Sequence, residues 1–159
     1  MSQAATEHVL KLIEELELAL AEFYAAVADR QAEDPAFWRS LEQEERRHAS
    51  HIEQMIAMIG THPERFHANR AFNPAAIQSF AAYVRGTTSR LKSGGVLAGD
   101  EKYFLALARD MEQSVIEARF NEIVKTADLE FQTLMRRIVA DTQVHKSKII
   151  GRIAGRPAR

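Results

Sequence analysis

The sequence contains no cysteine. Disulfides, thiolate zinc sites, iron–sulfur clusters and rubredoxin-type iron centres are therefore excluded. An excess of either charge is also missing, because 21 Lys and Arg residues face 22 Asp and Glu residues. A broad nucleic-acid-binding surface needs a basic excess, so we expect no nucleic-acid partner.

Long apolar runs are absent as well. No stretch reaches the roughly 18 apolar residues that span a bilayer, so we expect no membrane partner. The segment Met1–Thr6 lacks the basic and apolar regions of a signal peptide, and we expect a cytoplasmic protein. A chain of 159 residues suits one domain with a real core, and a single domain over 1–159 is predicted.

Helical signals dominate what the sequence does contain. Thr6 is a predicted N-cap, Asp34 and Asn73 each precede a first-turn proline, and Gly60 and Gly151 fall near predicted helix ends. Five helices are predicted, over residues of about 6–30, 35–59, 74–92, 100–126 and 128–151.

The order of these helices predicts the fold class. Two pairs of long helices are separated by a connection over 61–73 and by the shorter third helix. We predict an all-α, ferritin-like four-helix bundle, in which two antiparallel hairpins are joined by a long crossover containing a short extra helix. An up-and-down bundle with an insert, or two unrelated hairpins, are the alternatives.

Five ionisable residues interrupt apolar stripes of the predicted helices. Glu17 interrupts a stripe of the first helix, and Glu45 and His48 interrupt neighbouring stripes of the second at Glu-x-x-His spacing. Glu112 and His145 do the same in the last two long helices. Glutamates and Glu-x-x-His pairs on four helices are typical of a two-metal site.

An internal repeat relates these interruptions. A shift of 95 residues places Glu17 on Glu112, and a shift of 97 places His48 on His145. Coincidence of polar residues within apolar stripes favours a bundle with a pseudo-twofold axis. The repeat also identifies Thr142 as the position where a second Glu-x-x-His would need its glutamate.

Buried carboxylates in this number would repel each other unless cations lay among them. Divalent metals solve the problem, because carboxylate oxygens and neutral imidazole nitrogens are their natural ligands. The mixed oxygen and nitrogen set suits iron or manganese, with zinc as an alternative. Magnesium and calcium are not expected to recruit two histidines.

The run Glu17-Leu-Ala-Leu-Ala-Glu-Phe-Tyr24, then Asp34-Pro35, then Glu44-Glu45-Arg-Arg-His48 resembles the first half of rubrerythrin-like proteins. These proteins belong to the ferritin-like diiron-carboxylate superfamily. The resemblance is motif-specific over residues 10–55, weaker over 105–150 and absent in the connection.

The resemblance implies a ligand set for two iron ions. Glu17 and His48 would hold one ion, and Glu112 and His145 the other. Glu45 would bridge them. It also implies oxidation of ferrous iron or reduction of peroxide, in iron or oxidative-stress handling, by a homodimer.

Departures from the family pattern qualify this implication. Thr142 replaces the second bridging glutamate, so one ion is an alternative to two, with Asp141 as a tentative substitute ligand. Val115 occupies the place of a further rubrerythrin glutamate. Because no rubredoxin domain is present, a reductase would need an external electron donor. Tyr24 would lie near the site.

Three functions stay open at this level. A rubrerythrin-like oxidoreductase is favoured, a ferritin-like binding or interaction module with a catalytically silent site is the alternative, and an iron-storage subunit is disfavoured. Two residues keep a surface interpretation: Glu112 could pair with Arg119, and His145 could lie on a solvated helix end. The apolar residues Ile77, Phe80 and Val84 of the mid-chain helix favour a dimer if the chain leaves them exposed.

Overall fold

The structure is a computed structural model that describes residues 3–30, 33–94 and 101–155. Most of these residues are helical, which confirms the all-α prediction. The α-helices are α1 Gln3–Arg30, α2 Pro35–Thr61, α3 Pro74–Lys92, α4 Glu101–Glu117 and α5 Leu129–Ile153. Short 3-10 helices at Pro63–Arg65 and Phe120–Glu122, and the strands β1 His67–Ala68 and β2 Val124–Lys125, lie between them.

Side-chain caps define where three helices begin. Asp34, Asn73 and Asp128 each accept a hydrogen bond from a backbone N–H in the first turn of α2, α3 and α5. Pro35 and Pro74 take the first helical position, where a missing N–H costs nothing. The starts predicted for α2 and α3 are therefore confirmed.

The start of α1 differs from the prediction. Thr6 is buried inside the helix instead of capping it, and its hydroxyl has no hydrogen-bond partner among the described residues. The helix includes Gln3, whose amide donates to the carboxylate of Glu7 at 2.8 Å, a pairing across one turn.

The predicted end of α4 is wrong. The sequence predicts a helix over about 100–126, of which residue 100 lies outside the described residues, but α4 ends at Glu117. Arg119 then adopts the left-handed conformation with φ 52° and leads into a 3-10 turn. Phe120 and Ile123 are both buried, so their helix-like spacing reflects contact with the core from a turn.

A short antiparallel sheet joins two connections that are distant in sequence. β1 follows α2 and pairs with β2, which lies between α4 and α5. The backbone N–H of Asn69 adds a hydrogen bond to the carbonyl of Ile123 at 2.7 Å. The connection over 61–73, predicted without regular structure, is therefore fastened to the second half of the chain.

Helix packing is centred on α1, which contacts α2 most extensively and α3 next. α4 packs on α5, and α5 also contacts α2. Of the three apolar residues expected on the surface of the mid-chain helix α3, Ile77 and Val84 are buried within the chain, whereas Phe80 is only half-buried and packs against the core. None of the described helices is long and apolar enough to cross a membrane.

Asp34→Ala and Asp128→Ala form a matched pair of cap deletions. Each removes the acceptor from a helix's first turn, which costs about 1 kcal/mol. Asp34 also pairs with Arg152 of α5, whose guanidinium lies 4.6 Å from the ring centroid of Phe37. In urea unfolding, Asp34→Ala should therefore lower the free energy of unfolding further, by up to ~1 kcal/mol because the pair is partly exposed. Equal losses would show that the Arg152 pair adds no stability.

Candidate metal centre

Five ionisable side chains from four helices meet in the protein interior. They are Glu17 of α1, Glu45 and His48 of α2, Glu112 of α4 and His145 of α5, and each is at most 1% exposed. The structure thus brings together all five residues that the sequence singles out. Burial of so many polar groups is costly unless they are paired with one another or with a cation.

Glu45 lies between the two histidines. Its Oε2 is 3.0 Å from Nδ1 of His48, and its Oε1 is 2.9 Å from Nδ1 of His145. The two imidazole rings are stacked, with centroids 5.4 Å apart and planes inclined by 18°. One carboxylate therefore contacts both halves of the cluster.

Each half adds a glutamate of its own. Oε2 of Glu17 is 3.4 Å from Nδ1 of His48, and Oε1 of Glu112 is 3.7 Å from Nδ1 of His145. Two groups of three side chains, Glu17 with Glu45 and His48 and Glu45 with Glu112 and His145, could each hold a metal ion. Within each group the donor atoms lie within 4.8 Å of one another.

Two carboxylate oxygens of the cluster have no hydrogen-bond partner in the described part of the chain. They are Oε1 of Glu17 and Oε2 of Glu112. Buried polar atoms without partners are rare in native proteins, so each requires an explanation. One belongs to each group of three, and each group therefore keeps an unused oxygen donor. The residues fit a pair of divalent cations.

The outward nitrogen of each histidine faces a carboxylate on the other histidine's helix. Nε2 of His48 is 3.3 Å from Oδ2 of Asp141 in α5, and Nε2 of His145 contacts Oε2 of Glu44 in α2. Carboxylates in this position fix the orientation of an imidazole and increase the basicity of its other nitrogen. Both Nδ1 atoms are thereby directed inward.

This arrangement places the tentative ligand Asp141 at the outward nitrogen of His48, and it belongs to neither group of three. Glu44 stands in the run that resembles rubrerythrin-like proteins, but no role at the site is predicted for it. The internal repeat contained the signal, because the 97-residue shift places Glu44 on Asp141. The hydrogen bond from His145 lowers the pKa of Glu44 to about 2, so this carboxylate is ionised at neutral pH.

Thr142 supplies no anionic oxygen to the cluster. It is 1% exposed, and its hydroxyl donates to the carbonyl of Ile138 at 2.9 Å within its own helix. Val115, at the place of the further rubrerythrin glutamate, is buried and apolar. Among the described residues, the inward-facing carboxylates are therefore the three glutamates of the two groups.

Tyr24 does more than fill space in the core. Its hydroxyl donates to Oε1 of Glu112, and its ring centroid lies 6.0 Å from that of Trp38. Complete burial and the nearby negative charge of Glu112 raise the pKa of Tyr24 well above its usual value. The phenol therefore stays protonated and remains a donor.

The surface interpretations of the second half are wrong. Arg119 lies beyond the end of α4 and pairs with Glu122 at 3.5 Å, so it is not the ion-pair partner of Glu112. His145 is completely buried, although Lys146 is its neighbour in sequence.

When no ion is bound, protons hold the cluster together. Burial opposes a charge on His48, but Glu17 and Glu45 outweigh it and raise the pKa of His48 to about 10. The carboxylates around His145 outweigh burial in the same way and raise its pKa to about 12. Burial and repulsion from Glu45 raise the pKa of Glu17 to about 8. A metal bound by these groups would release their protons.

No protein-family model, no curated protein and no solved structure matches this chain. What the cluster can do chemically follows from its own side chains.

The raised pKa values predict that the metal-free protein loses stability as the pH rises. Glu17 binds its proton more tightly when folded, so its contribution is complete below its usual pKa of 4.5 and is lost as the pH passes about 8. The contribution of His48 is complete below 6.5 and is lost through about 10. The thermal midpoint of chelator-treated protein should fall by roughly 5–10 °C between pH 6 and pH 9.

Glu17→Gln is the matched variant, because the amide keeps the shape of the side chain but does not titrate. The variant should lack the part of the decrease in thermal midpoint that occurs below about pH 8. A wild-type midpoint that is constant or rises from pH 6 to pH 9 would contradict the protonated cluster.

Proposed function

We propose that this chain is a rubrerythrin-like dimetal carboxylate protein that reduces peroxide or oxidises ferrous iron. One observation carries the proposal: Glu45 contacts the inward nitrogens of two buried histidines, each of which has a further glutamate beside it. One shared and two terminal carboxylates suit two adjacent divalent ions.

The fold proposed for this function is a ferritin-like four-helix bundle of α1, α2, α4 and α5, forming one domain over 1–159. Its support is the origin of the cluster, which takes its side chains from these four helices. α3 contributes none of the five cluster residues and packs on α1, as a helix of the crossover would.

Under this proposal Glu17 and His48 would hold one ion, Glu112 and His145 the other, and Glu45 both. Iron is the proposed metal, with manganese or zinc as alternatives, because the donors are mixed carboxylate and imidazole. Two redox-active ions supply one electron each, which matches the two electrons that convert peroxide to water.

The protein's own groups would orient the ligands and control protons. Glu44 and Asp141 hold the imidazoles through Nε2. The hydroxyl of Tyr24 holds a proton at Oε1 of Glu112, inside the buried site. Electrons would come from an external donor, since the sequence has no cysteine for an iron–sulfur or rubredoxin centre. A cytoplasmic homodimer with no nucleic-acid partner completes the proposal.

Thr142 favours a second candidate function. With three inward carboxylates, the site could hold a single ion or a redox-silent zinc, and the protein would then be a metal-binding or interaction module. Iron storage is disfavoured, and size-exclusion chromatography separates it from the other two, because a ferritin cage elutes far from a dimer.

Metal analysis of anaerobically purified protein tests the proposal directly. Two iron ions per chain, with an optical change on addition of peroxide, are expected for the enzyme, whereas one redox-silent ion would favour the module. Glu45→Ala should abolish binding of the pair, because both groups of three share Glu45. Glu53→Ala, which removes an exposed glutamate from the same helix, is the control and should retain the metal. A wild-type protein that retains no metal, unaffected by Glu45→Ala, would refute the proposal.

Thr142→Glu should increase metal occupancy, because it adds a carboxylate on the buried face of α5, one turn before His145. Thr142→Gln is the matched control, with the same size and no charge. Metal content measured after equilibration with limiting Fe²⁺ should rise for the glutamate variant only. If both variants behave alike, a missing carboxylate does not limit occupancy.

A further inference from the structure

We infer that the two halves of the centre load unequally, and that the half containing Glu17 and His48 binds its ion first and more tightly. This half is called half-site 1, and the half containing Glu112 and His145 is half-site 2; Glu45 is shared. The inference rests on the proposed metal function and specifies the order and stoichiometry of loading.

The two terminal glutamates differ in how many oxygens they can offer. In half-site 2, Oε1 of Glu112 accepts the hydrogen bond of Tyr24, which leaves Oε2 as the oxygen without a partner. In half-site 1, Oε1 of Glu17 has no partner among the described residues, and Oε2 faces Nδ1 of His48, which would bind the same ion. Once its proton has left, Glu17 can therefore chelate through both oxygens, whereas Glu112 offers one freely.

This difference originates where α4 ends. The 95-residue repeat that places Glu17 on Glu112 also places Tyr24 on Arg119. Arg119 lies after the end of α4, in the left-handed conformation, with its guanidinium 3.5 Å from Glu122. The position that would mirror Tyr24 therefore points away from the cluster, and Glu17 is spared a competing donor from that side.

Charge acts in the same direction on the second ion. The first divalent ion meets the full charge of the three inward glutamates, whereas the second meets the same glutamates after the first ion has offset two of their three negative charges. Glu44 and Asp141 add negative charge only at the outward nitrogens of the two histidines. Thr142 adds no fourth inward carboxylate that would reduce the repulsion between two bound ions. Like charges repel strongly in a buried site, so the second ion binds more weakly whichever half fills first.

The outer carboxylates oppose this order. Glu44 contacts Nε2 of His145 and its side chain is 25% exposed, whereas Asp141 is 3.3 Å from Nε2 of His48 and 37% exposed. Glu44 therefore makes His145 the more basic donor. Glu44 acts on the ligand nitrogen Nδ1 only through the imidazole ring, whereas the hydroxyl of Tyr24 donates directly to a ligand oxygen of Glu112. The glutamates therefore decide which half fills first.

Titration of chelator-treated protein with Co²⁺ tests the order, with calorimetry and the visible absorption of bound Co²⁺ as readouts. Wild type should show two steps whose Kd values differ by at least about tenfold. Glu112→Gln should keep the tight step and lose the weak one, and Glu17→Gln should keep only a weak step. Steps within threefold of each other, or the reverse pattern in the two variants, would overturn the inference.

Tyr24→Phe isolates the cause of the inequality. Removal of its hydroxyl should tighten the second step by about tenfold and leave the first within twofold, because a hydrogen bond to a charged acceptor no longer competes with the metal. Tyr83→Phe, at a half-exposed tyrosine of α3, is the matched control and should change neither step. An unchanged second step in Tyr24→Phe overturns the assignment. Should this variant not fold, the two glutamine variants still decide the order.

The outcomes separate this inference from the proposed function. Two equal steps overturn unequal loading and leave a dimetal protein. A wild-type protein that binds no Co²⁺ overturns both. A single step that Glu17→Gln abolishes and Glu112→Gln retains overturns the two-metal function, yet it supports the assignment of half-site 1 as the stronger half.

Discussion

Compensation of three buried glutamates is the constraint on which the rest of this structure depends. Each glutamate replaces an apolar residue in a helix stripe, so the helices can pack only if opposite charge reaches the interior. When no ion is bound, protons on the two histidines and on Glu17 compensate the charge of the carboxylates. Divalent cations would compensate this charge more effectively, since one bound ion replaces several protons. The same contacts that make the cluster a candidate metal site thus determine how the four helices meet.

Much of this arrangement could be predicted because two independent patterns agree. Apolar periodicity gives the helices, and the polar residues that break it give the cluster. The place of Glu45 between both histidines is implied only by the resemblance to rubrerythrin-like proteins. The repeat then relates Glu17 to Glu112. These features are local or periodic, so one sequence is enough to find them.

Other features depend on contacts that periodicity does not encode. The end of α4 is one case, because Phe120 and Ile123 keep a helical spacing while packing from a turn. The hydrogen bond from Tyr24 to Glu112 is another, since it joins two residues that are 88 positions apart in sequence. Glu44 could have been found, because the repeat pairs it with Asp141, but carboxylates near a helix surface usually face solvent. The sequence therefore predicts which residues are inside better than it predicts how they are paired.

Trp38 gives the site a natural optical probe. It is the single tryptophan of the chain, so its emission is free of other indoles. Its ring packs on Tyr24, which contacts Glu112, and its indole N–H donates to Glu101 at 3.1 Å, at the first residue of α4. Only Tyr24 separates the indole of Trp38 from Glu112, so a change in charge at the cluster alters the electrostatic environment of the fluorophore. The unlabelled protein therefore carries an intrinsic reporter of the state of its own centre.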